Sequence, residues 1–304
     1  LIVISSTLFL VVSLTIPLTV VASPTYSPEQ VAVMSERAEN TVREAYKLLW
    51  DLKMEYHRAD AERDTGHTGV IGVEYSALTS TLGYEDAKEL STKPGWASWL
   101  VKQLAERGIW EHAEVGVSMT GSFPALNIAV LATLQELHAD VKCISSIGAS
   151  SYGANEIGFS WPEIERLLRE EGILKVGSSA VTLGGTGDRG AEWNGEAMDL
   201  ALRAVKRSLL PLIKPVNLRD GVTKRMLFYG DATKYFCFIN VGGSQATLGA
   251  GAVMRFNRGG WFLEPLALKG DPNGVMDSFL DAGVPCLNLL FLRELNLKEN
   301  ILRP

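Results

Sequence analysis

The chain has 304 residues, 46% hydrophobic and 21% charged, and its 29 Lys and Arg against 35 Asp and Glu leave a formal net charge of −6. Its 29 glycines and 12 prolines are too sparse and aperiodic for a collagen-like or low-complexity chain, and 8% aromatic residues argue against disorder. The acidic balance argues against a nucleic-acid partner, which is normally met by a basic face, and an acidic polymer would need a local basic patch.

Leu1 to Ala22 carries no charged residue and is long enough to cross about 30 Å of hydrocarbon. It predicts a single-pass transmembrane anchor over residues 1–23, with Pro17 as a kink of the kind membranes tolerate. A cleavable signal is the alternative, since Val20-Val21-Ala22 before Ser23-Pro24 resembles a small-residue cleavage site, but the run exceeds the usual apolar core of a signal. The signal-like character places the following domain on the extracytoplasmic side, whereas the reduced-looking thiols point weakly the other way.

Over residues 24–59 the spacing of Val31, Met34, Ala38, Val42, Ala45, Leu48, Leu49 and Leu52 predicts an amphipathic stalk helix, with Ser27 as N-cap and Pro28 in the first turn. Its apolar face either packs on the chain's own domain or pairs with a second copy or a membrane partner. The Asp-, Arg-, Thr- and Gly-rich stretch from Asp60 to Gly72 marks a loop and a boundary, leaving 60–304 as the main domain.

Beyond it helical and strand patterns alternate. Trp96 to Arg107 reads as a helix, Ala113 to Met119 as a strand, Phe123 to Leu137 as a helix and Asp140 to Ile147 as a strand. Pro162 to Glu171 is a helix, Val176 to Leu183 a strand, Glu196 to Leu210 a helix, Tyr235 to Val241 a strand, Val275 to Ala282 a helix and Val284 to Leu290 a strand. That order predicts an α/β fold, a mostly parallel, Rossmann-like doubly wound sheet with helices on both faces. Runs such as Phe236-Cys237-Phe238-Ile239 suit strands covered on both sides.

Small residues gather where these strands end. The corners are Thr120-Gly121-Ser122, then Ser150, Ser151 and Asn155, then Gly185 with Asp188 and Arg189, and finally Asn240 with Gly242, Gly243 and Ser244. Strand carboxyl ends form the ligand crevice of open α/β sheets, and small residues there let backbone amides face an anion. Ser122 is equally well placed as a simple helix cap. Arg189 suits a carboxylate clamp or a surface pair with Asp188. Thr79, Ser80, Thr81 and Lys93 extend the hydroxyl- and charge-bearing set, or in the Thr92-Lys93-Pro94 stretch merely cap a helix.

Named motifs fail in context. Gly185 to Gly190 fits G-x-G-x-x-G but follows the third strand and lacks the acidic residue about 20 positions on that a dinucleotide site needs. There is no nucleotide P-loop, and no histidine follows His138, so the Ser, acid, His order of α/β-hydrolases is not met. Cys143, Cys237 and Cys286 read as buried thiols, and the scattered histidines show no zinc spacing, so neither a metal nor a cofactor is expected.

Four strings carry a family resemblance: Thr79-Ser80-Thr81-Leu82-Gly83, Gly121-Ser122-Phe123-Pro124-Ala125-Leu126-Asn127, Ile144-Ser145-Ser146-Ile147-Gly148-Ala149-Ser150 and Asn240-Val241-Gly242-Gly243. With them the chain resembles the poly-γ-glutamate system protein family, whose members have one N-terminal membrane segment ahead of a larger domain. Where that family often has Gly-Gly-Gly after Asn-Val, this chain has Gly242-Gly243-Ser244. The resemblance implies a capsule-type setting, with poly-γ-glutamate, the membrane and the synthesis and export proteins as partners, and it supplies no reaction.

Three expectations follow. The first is a membrane-anchored accessory protein whose strand-end crevice binds an anionic γ-glutamyl chain or its carboxylates. The second is a γ-glutamyl amide hydrolase or transferase with Ser122 as catalytic nucleophile, for which the sequence names no base. The third is a structural subunit that forms a homo-oligomer through its N-terminal helices.

Overall fold

The computed structural model describes residues 26–302. The expected anchor over residues 1–23 lies outside the described residues, and among these no helix is long and apolar enough to cross a membrane.

The first helix, α1 (Pro28–Glu55), begins as its sequence dictates. The Ser27 hydroxyl accepts from the Gln30 amide at 3.2 Å while Gln30 Oε1 accepts from the Ser27 amide at 2.7 Å, and Pro28 takes a position with no amide to satisfy. Ala38, Val42, Ala45 and Leu49, spaced four, three and four apart, are fully buried. Two of these four are alanines, which lets α1 lie close against α3 (Gly95–Glu106) and α4 (Pro124–Glu136). At its far end the Lys53 ammonium donates to the Ile71 carbonyl at 2.8 Å and pairs with Glu156. Of the two arrangements its spacing allows for the helix expected over 24–59, α1 adopts the packing on the chain's own domain, and its buried face contributes to the central core with the elements after residue 60.

The six-stranded sheet comprises β1 (Glu114–Met119), β2 (Asp140–Ser146), β3 (Ala180–Thr182), β4 (Cys237–Val241), β5 (Gly260–Phe262) and β6 (Cys286–Leu289). Its spatial order is β3-β2-β1-β4-β6-β5. All neighbours are parallel except the edge strand β5, which runs antiparallel to β6. The expected mixed α/β class with a largely parallel sheet is thus the observed one.

Alternation along the strands explains the two layers. Val115, Val117 and Met119 of β1 and Cys237, Ile239 and Val241 of β4 join the core built with α1, α3 and α4. Phe238 faces the other way and stacks on Phe279, which lies in the helix Val275–Asp281. Beside them is Gly116, where a Cβ would sit 2.8 Å from the Phe238 ring. The same second face is covered by α7 (Leu218–Tyr229), whose Tyr229 hydroxyl donates to the Val117 carbonyl at 2.6 Å. The helix α5 (Trp161–Glu170) lies on the first face, and α6 (Gly195–Ser208) packs Ala201, Ala204 and Val205 near the end of β3.

The expected strands and helices recur within a few residues of their predicted ends, and the additional elements include α2 (Glu85–Ser91), α7, β5, a C-terminal helix Leu292–Glu299 and several short strands and helical turns. The three cysteines are buried, free thiols.

Candidate functional site

The chain leaves β1, crosses through α4 to β2 and then β3, and later returns to β4 on the opposite side of β1. The sheet therefore reverses direction between β1 and β4, and at such a switch point the loops after the two strands diverge and leave a crevice. Here those loops are Thr120-Gly121-Ser122 and Gly242-Gly243-Ser244, and the crevice between them is a cleft of about 420 Å³. A third wall comes from a short parallel ladder in which Thr79–Thr81 pairs with Ala149–Ser150 beyond the end of β2.

The cleft brings together Ser80, Thr81, Thr120, Ser122, Ser150, Gly185, Gly243 and Ser244 from the sequence-derived set, and adds Ser146, Gly148, Thr186, Gln245 and Lys88. Among the described residues that line it there is no aspartate, glutamate or histidine. On a chain of net charge −6 that is a local departure from the average, and Lys88 is the one cation among the described residues of the lining.

Local geometry holds Ser122 at the mouth of α4. Gly121 donates to the Gly148 carbonyl at 3.1 Å, Ala154 donates to the Gly121 carbonyl at 2.7 Å, and Asn127 Nδ2 donates to the Thr120 carbonyl at 2.8 Å. The Ser122 hydroxyl oxygen, half-buried, accepts from the Ser150 amide at 3.0 Å. Behind this corner Gly242 adopts φ +89°, and a Cβ there would fall 2.1 Å from Thr120 Oγ1. Gly242 is thus the turn that admits Thr120 to the cleft edge.

Lys88 is the residue that sequence reasoning missed. It sits in α2, only 2% exposed, with its ammonium donating to Ser150 Oγ at 2.7 Å and to the Ser122 main-chain carbonyl, and lying 3.9 Å from the centre of the Phe123 ring. None of these partners is a carboxylate. Burial alone lowers its pKa from 10.5 to about 7. In the sequence, Lys88 is one of several charges in Glu85-Asp86-Ala87-Lys88-Glu89 and reads as solvated; only the packing of α2 on the Ser122 corner removes it from water.

Other members of the sequence-derived set lie outside the cleft. Thr79 and Asn155 are buried partners of each other, Asn155 Nδ2 donating to Thr79 Oγ1 at 2.9 Å and to the Val73 carbonyl at 2.8 Å. Asn240 is likewise structural, donating to the Gly242 carbonyl at 2.8 Å. Ser151 is buried with its hydroxyl unpartnered, Gly121 lies beneath the corner, and Lys93 is exposed between α2 and α3.

Asp188 and Arg189 do not form the surface pair that is one reading of this loop, and Arg189 is not in the lining of the cleft. Asp188 is buried and held in a two-pronged pair by Arg225 of α7, with Nε at 2.7 Å and Nη2 at 2.8 Å from its two oxygens, while Arg189 points out as an exposed residue. The same guanidinium donates to Thr182 Oγ1 at 2.8 Å and to Ser118 Oγ at 3.2 Å, and the Ser118 and Thr247 hydroxyls lie 2.6 Å apart. This network ties β1, β3, α7 and the Gly184–Gly190 loop together under the cleft, so Asp188 shapes the wall without presenting a charge to a ligand.

Among the described residues no group of His, Cys, Asp and Glu is arranged to hold a metal ion. The chemistry available is hydroxyl, backbone amide and one buried amine. In comparison with known proteins, no family model, no curated protein and no solved structure matches this chain.

Proposed function

We propose that the chain is a membrane-anchored accessory protein of a poly-γ-glutamate synthesis or export system, and that its strand-end cleft holds carboxylates of an anionic γ-glutamyl chain. The observation that carries the binding half is the polar part of the cleft wall: hydroxyls, glycines and the Lys88 amine, with no acidic residue among the described lining residues, set among Leu82, Phe123 and Leu290 at the switch point of the sheet. An incoming carboxylate stabilises the protonated form of Lys88, while the Glu192 carboxylate behind the Gly185 and Thr186 wall is held on the Thr186 amide at 2.9 Å. The setting and the partner proteins rest on the resemblance of the Gly121–Asn127 and Asn240–Gly243 strings, and the anchor, with its domain on the extracytoplasmic side, rests on the uncharged run from Leu1 to Ala22.

The test is equilibrium binding of a γ-glutamyl oligomer of defined length to the full chain in detergent. Because the ammonium form is the one that attracts a carboxylate, affinity is expected to fall as pH rises through about 7. Lys88→Met is expected to weaken binding at least about tenfold at pH 6, the scale of one charge-assisted hydrogen bond, and added salt to weaken it further. An affinity that ignores both pH and Lys88→Met overturns the reading.

A further inference from the structure

We infer that the same cleft performs acyl transfer, with Ser122 as nucleophile and Lys88 as its base, on an amide bond of the carboxylate-rich chain. The substrate class rests on the binding reading above; the chemistry rests on geometry of its own. A serine nucleophile needs a base within hydrogen-bond reach and something to orient it, and serine with lysine is an attested form of that arrangement. Here the Lys88 amine is 2.7 Å from Ser150 Oγ, and the amide of the same Ser150 is 3.0 Å from Ser122 Oγ. Nζ is also bound to the main-chain carbonyl of Ser122, so its position follows that of the nucleophile. Meanwhile α4, thirteen residues long, begins two positions after Ser122, so the positive end of its dipole lies beside the nucleophile, where it would favour developing negative charge.

The step balances without a co-reactant other than water. Ser122 Oγ attacks the amide carbonyl carbon and an O–C bond forms. Its proton moves to the neutral Lys88 amine, which Ser150 Oγ and the Ser122 carbonyl hold beside this corner. The C–N bond then breaks, and the leaving amine takes the proton back along the same path, leaving an ester on Ser122. Water, or the amine of a second chain, attacks that ester with its proton going to Lys88, and the C–O bond breaks to regenerate Ser122.

A lysine acts as base only when neutral, so the charges around it matter. On α2, Asp86 and Glu89 are exposed and Glu85 is half-buried. Of the elements packed on α2, the C-terminal helix brings Arg293, engaged with Asp86, together with Glu294, Lys298 and Glu299, and α4 carries one ionisable side chain, Glu136, at its far end. Burial therefore governs the amine, and it is half neutral near pH 7.

The full chain in detergent is treated with a fluorophosphonate, which transfers its phosphonyl group to an activated serine with loss of fluoride, and the adduct is located by peptide mass spectrometry. The wild-type rate of adduct formation at Ser122 is expected to rise with pH around a midpoint near 7. Lys88→Met and Lys88→Arg are both expected to slow it by about 10²-fold or more and to remove the inflection. Ser150→Ala slows it, and Ser122→Ala carries no adduct at that position. No adduct at Ser122 in folded wild-type protein anywhere between about pH 6 and pH 9, or an unchanged rate in a folded Lys88 variant, overturns the inference. The wild-type profile decides the matter even if every variant fails to fold. The two readings separate because carboxylate binding falls with pH while labelling rises: binding without labelling removes acyl transfer alone, and labelling without binding removes the γ-glutamyl substrate while leaving the nucleophile.

Discussion

Lys88 shows how a single side chain can be invisible in the sequence and central in the fold. A lysine among three acidic neighbours has every local reason to be solvated, and what buries it is the approach of α2 to the Phe123 ring and the Ser150 loop, residues 35 or more positions away in the chain. Ser122 is the opposite case, since a strand running into Gly-Ser and then a proline-led helix announces its corner directly. The cost of burying Lys88 has a measurable signature. In the unfolded chain the amine binds its proton up to about pH 10.5, in the folded one only to about 7, so between those values unfolding takes up a proton and stability rises with pH. The slope approaches about 1.4 kcal/mol per pH unit for one proton. Urea melts at pH 7.0 and 8.0 are expected to show this gain in the wild type and lose it in Lys88→Met. Staying below pH 8.5 avoids the three thiols, which burial pushes up and which act in the opposite sense.

At the level of elements, legibility followed burial. β1, β2, β4 and β6 are covered on both faces and read as apolar runs, whereas β5 is three residues of an edge strand and α7 is interrupted by Gly221, so neither offers a clean period. The amphipathic period of α1 was plain, but a period reports that a face is covered and is silent on what covers it. In the structure the cover is α3 and α4, which makes α1 a member of the domain. Deleting residues 1–56 is accordingly expected to abolish the cooperative thermal transition rather than to release a folded monomer, as circular dichroism and gel filtration would show. Leu49→Ala is expected to cost about 2–5 kcal/mol, the usual range for a fully buried leucine.

Across the whole molecule the Arg225 and Asp188 pair joins parts that are far apart in sequence: the end of β1, the end of β3, the glycine-rich loop after it and α7. Such a pair is costly to bury and costlier to break, because the survivor keeps its charge without a partner. Asp188→Ala is expected to lose about 3–5 kcal/mol in urea denaturation. The double variant with Arg225→Met is expected to lose less than the sum of the two single changes, since one buried network contains both. Asp188 looked like a ligand from the sequence because acidic residues in glycine-rich loops often are; an arginine 37 residues downstream, on another helix, decides its role.

The direction of α1 has a bearing on where the protein works. Its first residues meet the far end of α4, where Tyr26 donates to the Leu137 carbonyl, and its last turn meets the Ile71 and Glu156 region on the side of the cleft. At 1.5 Å per residue its 28 residues span about 42 Å. The Tyr26 end of the chain therefore lies on the opposite side of the body from the opening. Under the anchoring proposed above, an anionic chain would reach that opening from the aqueous side and not from within the bilayer.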